Sequence, residues 1–152
     1  MSKILVIAPH ADDETLGMGG TIARRVAAGD DICVAIVTGQ GADPHPLWKA
    51  ETWELVRTEA EKAMTVLGVR NLIYRELPAA CLDNHPTYEI NRVVDEILDQ
   101  VVPDELYLPY YHDLHRDHMA LAYAGLVSSR PYLTRNRRQL RKVLMYDTPT
   151  ET

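Results

Sequence analysis

A chain of 152 residues with 46% apolar and 25% charged side chains has the size of one domain with a real core, and its balance excludes disorder as a global description. The net charge of −6 is uneven: residues 130–152 hold six of the 16 basic side chains (Arg130, Arg135, Arg137, Arg138, Arg141, Lys142) and two of the 22 acidic ones, so this end is +4 and the preceding body −10. An acidic body argues against a nucleic-acid partner, and the basic cluster reads as a solvated face.

No apolar run reaches the ~18 residues of a membrane span, and residues 4–8 are too short for a secretory signal. Two cysteines, Cys33 and Cys81, make no disulfide framework, so a reducing, cytoplasmic setting is the expectation. In chain order, Lys3 to Ala8 (KILVIA) is a continuous β-branched run, the pattern of a strand buried on both faces. Pro9 ends it, because proline offers no N–H to a central ladder. Residues 14–28 have helical periodicity in Leu16, Ile22, Ala23 and Val26, with Gly29 as the stop. Residues 31–38 read as a second buried strand, 39–47 as loop, and 48–67 as a second helix with Leu55, Ala63, Met64 and Leu67 inward. A weaker strand spans 71–76 and a loop 77–86. A third helix, with Thr87 as its expected cap, runs to Gln100. Residues 105–108 form a fourth strand, 114–128 a fourth helix and 143–146 a fifth strand.

This alternation predicts an α/β fold: a three-layer, Rossmann-like, mostly parallel sheet of order 3-2-1-4-5 with helices on both faces. In such sheets ligands bind beyond the carboxyl ends of the strands, where the order reverses between strands 1 and 4. The loops there, Pro9 to Glu14 and Pro109 to His118, carry the densest clusters of His and Asp in the chain.

The first cluster is His10-Ala11-Asp12-Asp13-Glu14. Acids at a helix start are favoured by the helix dipole, but adjacent Asp12 and Asp13 repel unless a cation relieves them. The second is His112-Asp113-Leu114-His115-Arg116-Asp117-His118, which holds three of the six histidines. Two His and one carboxylate suit catalytic zinc and equally a non-haem iron facial triad, so spacing leaves the metal open. An aspartate next to a ligand aspartate is a ready base for a metal-activated water. The nucleotide fingerprint G-x-G-x-x-G fails, because Gly17, Gly19 and Gly20 lie inside the first helix, where they suit close helix–sheet packing or backbone approach to a ligand. No G-x-S-x-G elbow is present, and mid-strand Cys33 reads as core, so nucleophilic Ser or Cys catalysis has no support.

A first strand ending in proline, then His-x-Asp-Asp-Glu, then a later His-x-Asp-His, resembles the PIG-L/LmbE-like zinc deacetylases. The likeness extends through Arg57-x-Glu59, Leu67-Gly68-Val69 and Val143 to Tyr146. It implies one Zn2+ per chain, Fe2+ being the alternative, held by His10, Asp13 and His118. It also implies Asp12 as general base, and His115 as the group serving the oxyanion or the leaving amine. Asp117 would orient His115. Arg57 and Asp83 would contact substrate, with an Arg57–Glu61 helix pair as the competing reading of Arg57. The implied substrate is a small N-acetylated amino-sugar or glycoconjugate, giving acetate and a free amine. The alternatives are an amidase on a larger N-acyl conjugate, an incomplete metal-binding module without activity, and a metal-dependent oxygenase.

Residues 1–152 are expected to form one deacetylase-like domain lacking the family's C-terminal segment, or completed by a second copy or partner chain. The loops 39–47 and 77–86 are expected to set specificity, and for Trp48 and Trp53 buried packing is expected ahead of an interface or pocket role.

Overall fold

The computed structural model describes residues 1–41, 44–131 and 139–149. Arg135, Arg137 and Arg138 of the basic cluster lie outside them. The elements are β1 (Lys3–Ala8), α1 (Asp13–Ala27), β2 (Asp31–Gly39), α2 (Ala50–Leu67), β3 (Asn71–Pro78), a 3-10 turn (Leu82–Asn84), α3 (Thr87–Val101), β4 (Glu105–Pro109), α4 (Arg116–Ser128) and β5 (Lys142–Tyr146). All strand pairings are parallel, in the order β3-β2-β1-β4-β5. Val6 of β1 sits opposite Val34 on one side and Tyr107 on the other, so β1 is the central strand.

The pleat explains why β1 is apolar at every position. Leu5 and Ile7 face one core, with Ile90, Val94, Ile97 and Leu98 of α3 and Leu121 of α4. Ile4, Val6 and Ala8 face the other, with Met18 and Ile22 of α1 and Ala60 and Met64 of α2. Two glycines set how closely helices approach strands. A Cβ on Gly125 would run into the side chain of Leu108, so α4 lies directly on β4. A Cβ on Gly17 would stand 2.6 Å from Tyr146 Cδ2 and 2.8 Å from the Asp147 carbonyl, which confirms close packing as the reason for this glycine. Tyr146 in turn donates its hydroxyl proton to the Ile7 carbonyl at 2.8 Å, fixing the end of β5 beside the end of β1.

Among the boundaries that differ from the sequence expectation, three have a local reason. The cap of α3 is Pro86, whose carbonyl accepts from Glu89 N–H at 2.9 Å, and Thr87 is already helical. Helix α2 starts at Ala50, because Lys49 is extended (φ −80°, ψ 160°) and Trp48 packs back onto the preceding loop. Helix α4 starts at Arg116, with His115 as its cap. The consequence at the carboxyl edge of the sheet is that the β1–α1 and β4–α4 connections face each other, and both motifs meet there.

Candidate metal centre and adjoining cleft

Four residues from two connections converge. His10 lies two residues beyond β1, Asp13 opens α1, and His115 and His118 occupy the cap and third helical positions of α4. One ring nitrogen from each of His10, His115 and His118 lies within 4.8 Å of the others. Asp13 Oδ2 is 3.3 Å from His10 Nδ1 and 3.2 Å from His118 Nε2. Two ligands each ~2.1 Å from a shared ion at a tetrahedral angle stand about 3.4 Å apart, so this spacing matches a zinc-type site.

The tautomers sharpen the match. His118 Nδ1 donates to Asp113 Oδ2 at 2.8 Å, and His10 Nε2 donates to Asp117 Oδ2 at 3.0 Å. In the neutral rings the lone pairs then lie on His118 Nε2 and His10 Nδ1, the two atoms facing Asp13 Oδ2. His118 Nε2 is buried and has no hydrogen-bond partner. Three electron-rich atoms crowded together are a mismatch for one another and a match for a divalent cation. His115 differs. It caps α4 by accepting the Asp117 main-chain N–H on Nδ1 at 3.1 Å, which leaves the proton of the neutral ring on Nε2. His115 Nδ1 is thus engaged at the cap, whereas the facing nitrogens of His10 and His118 converge on Asp13 Oδ2.

Burial and charge act together here. Asp13, Asp113, Asp117 and His118 are each 4% exposed or less. Burial opposes the charged form of His10, but the Asp117 and Asp13 carboxylates outweigh it and hold the imidazole up at about 9. His118 is raised likewise by Asp13 and Asp113 against burial. Burial would raise Asp13 and Asp117 too, yet the partnered histidines pull both below the usual carboxylate range, with main-chain N–H groups of Leu82 and Ala80 adding to the effect at Asp117. Glu14 is fully buried. One of its oxygens accepts from Thr15 Oγ1 at 2.9 Å and the other has no hydrogen-bond partner, and burial pushes the carboxyl up to about 7.

Beside the centre opens a cleft of about 390 Å³, with Asp12 and His115 at one end and Trp48, Trp53, Arg57 and Glu76 along it. Of the residues expected at the site, Asp12 is exposed and lines this cleft, as does Arg57. Arg57 pairs with Glu76 of β3, not with Glu61 of its own helix, and its guanidinium lies 4.8 Å over the Tyr74 ring. Two expectations need correction. The Asp117 carboxylate does not orient His115: it accepts from His10 Nε2, Ala80 N–H (2.6 Å) and Leu82 N–H (3.0 Å), because the second helical position points into the sheet edge. Asp83 stands exposed on the 3-10 turn, hydrogen-bonded by Asn84 and outside the cleft. Sequence reasoning missed Asp113, the buried partner of His118; the Asp-x-His spacing, an Asx turn closing onto His115 N–H at 2.9 Å, was its signal. Trp48, for which packing is expected ahead of a pocket role, is 43% exposed and lines the cleft.

The profile of the family described as PIG-L, GlcNAc-PI de-N-acetylase, matches residues 5–128. The chain belongs to the PIG-L family. It is similar to the uncharacterized deacetylase YaiS of Escherichia coli (strain K12), 25% identical over 97% of this chain and 74% of that protein. It is also similar to the diacetylchitobiose deacetylase of Thermococcus kodakarensis, 27% identical over 83% of this chain and 48% of that one. Among solved structures it resembles the N,N'-diacetylchitobiose deacetylase of Pyrococcus horikoshii, with a TM-score of 0.74 and 25% identity over 90% of this chain and 54% of that one. The chain thus spans about half of each diacetylchitobiose deacetylase. By family this PIG-L domain is deacetylase-like, with a candidate metal site at the carboxyl edge of its sheet.

Proposed function

We propose that this PIG-L domain hydrolyses the N-acetyl amide of a small amino-sugar or glycoconjugate, giving acetate and a free amine. The observation that carries the reading is the convergence of His10 Nδ1, Asp13 Oδ2 and His118 Nε2, with the outer nitrogens of both histidines held by buried carboxylates. These three residues would hold one zinc-type ion. When bound, it supplies Lewis acidity toward the amide carbonyl and lowers the pKa of a water toward ~7.

The chain's own residues divide the remaining work. Asp12, exposed at the cleft end, accepts a proton from the water whose oxygen bonds to the carbonyl carbon. His115 donates Nε2–H toward the carbonyl oxygen as negative charge develops there. The C–N bond then breaks, and the departing nitrogen takes the proton that Asp12 carries. Asp113 and Asp117 fix the rings of His118 and His10, the usual second layer around a metal ligand. Arg57, half exposed on the cleft wall, is the candidate contact for substrate hydroxyls.

The cytoplasm belongs to the same reading, supported by two unpaired cysteines. No helix of the described residues is long and apolar enough to cross a membrane.

Acetate release from N-acetylglucosamine and N,N'-diacetylchitobiose by the zinc-loaded protein tests the proposal. Turnover that disappears with a chelator and returns with zinc supports it. Absence of acetate with one zinc bound per chain refutes it.

A further inference from the structure

The loop between β2 and α2 builds an aromatic wall along the cleft that the chemistry above does not use. His45 is 8% exposed, and both of its ring nitrogens are committed. Nε2 donates to the Ala79 carbonyl at 2.7 Å, and Nδ1 accepts from Leu47 N–H at 3.1 Å. The imidazole is therefore fixed in orientation. Trp48 lies nearly parallel to it, with centroids 4.8 Å apart and planes at 28°. Trp53 stands edge-on to both, 5.1 Å from His45 and 5.6 Å from Trp48. With one face covered by His45, Trp48 still leaves 43% of its surface open, and it lines the cleft that leads to Asp12 and His115. A large ring braced by a buried histidine and left uncovered is a surface arranged for a ligand.

The rest of the cleft says which ligand. The same wall carries the Arg57–Glu76 pair, each side chain about half exposed, so polar hydrogen-bonding groups adjoin the indole. An acyl chain would desolvate that pair without partnering it. A flexible polyol would have no face to lay on the indole. A pyranose ring satisfies both, with a C–H-rich face for Trp48 and hydroxyls at its edge for Arg57 and Glu76. A space of about 390 Å³ accommodates one such ring with its acetamide.

We infer that Trp48, backed by His45 and Trp53, is the seat on which a pyranose ring stacks while its acetamido group reaches Asp12 and His115. The placement of the acetamide rests on the deacetylase reading; the stacking does not.

The test compares zinc-loaded wild type, Trp48→Ala and Trp48→Tyr by ligand-observed NMR titration with N-acetylglucosamine, and with N-acetylethanolamine, which has the acetamide and no ring. Trp48→Ala should weaken N-acetylglucosamine binding at least about tenfold and leave N-acetylethanolamine binding and zinc content unchanged. Trp48→Tyr, which keeps an aromatic face, should stay within about threefold of wild type. Equal sugar affinity in Trp48→Ala, equal loss for both ligands in a folded Trp48→Tyr, or no sugar binding by wild type overturns the ring seat. Sugar binding through Trp48 without acetate release upholds the ring seat and overturns the deacetylase reading.

Discussion

The metal centre and the cleft wall lie side by side yet are built on opposite plans. In the centre the proposed ligand side chains are buried or half-buried, and the rings of His10 and His118 are held by buried carboxylates. Loss of one member leaves a buried charge or an orphaned nitrogen. The wall presents partly exposed side chains from a loop, a helix and a strand, with the buried and locked His45 behind them. The difference separates two kinds of substitution: those at the centre act on metal and on the bond-breaking step, and those on the wall act on which molecule is held.

The most disruptive change should be His118→Ala, which deletes a fully buried side chain of the proposed ligand set. Zinc measured by atomic absorption should fall from about one per chain to near zero. Full zinc retention would remove His118 from the ligand set and with it the contrast. Next, Asp12→Asn should keep zinc while lowering kcat by about 10²–10⁴, since a cleft-facing base is not a support. Wild-type turnover in that variant would show that the proton goes elsewhere. Asp113→Asn should be milder, weakening zinc affinity by about 10- to 100-fold in a chelator competition, with activity restored by excess metal. No change in affinity there would mean that the outer carboxylate does not aim the His118 ring.

The most gradual effect is a pH dependence. In the metal-free protein the His10 pKa is raised to about 9, so its ion pairs with Asp117 and Asp13 stabilise fully below the unfolded value near 6.5. That contribution is lost as pH rises through about 9. Zinc needs the neutral ring, so its affinity rises over the same window, by at most about tenfold per pH unit from this group. The gap in Tm between zinc-loaded and metal-free protein should widen from pH 6.5 to 9. A constant gap would show that zinc displaces no proton from His10.

Strand order and the meeting of both motifs were readable because they depend on local signals. Continuous apolar runs such as residues 3–8 announce a doubly covered strand, and the parallel order then carries Pro9–Glu14 and Pro109–His118 to one edge. What stayed hidden depends on where the backbone turns. His115 caps α4, so its ring folds back onto a main-chain N–H. Asp117, two residues on, points inward to His10, and the pairing inferred from neighbouring positions goes to a residue 107 positions away. For Trp48 packing ranked above a pocket role because nothing in its own segment shows that α2 begins two residues later. Once outside the helix, it stacks on a histidine three positions before it.

One short segment touches both regions. The Ala79 carbonyl holds His45 behind the aromatic wall, and the N–H groups of Ala80 and Leu82 hold Asp117 behind His10. Ala80 keeps a left-handed backbone (φ 57°) to present its N–H there, a cost of about 1 kcal/mol for a residue with a Cβ. Because these links run through main-chain atoms, side-chain replacement along the segment leaves them in place. The segment is a fixed gauge: it sets one span between the aromatic wall and the histidine cluster, against which the proposed substrate would be measured before any of its bonds is touched.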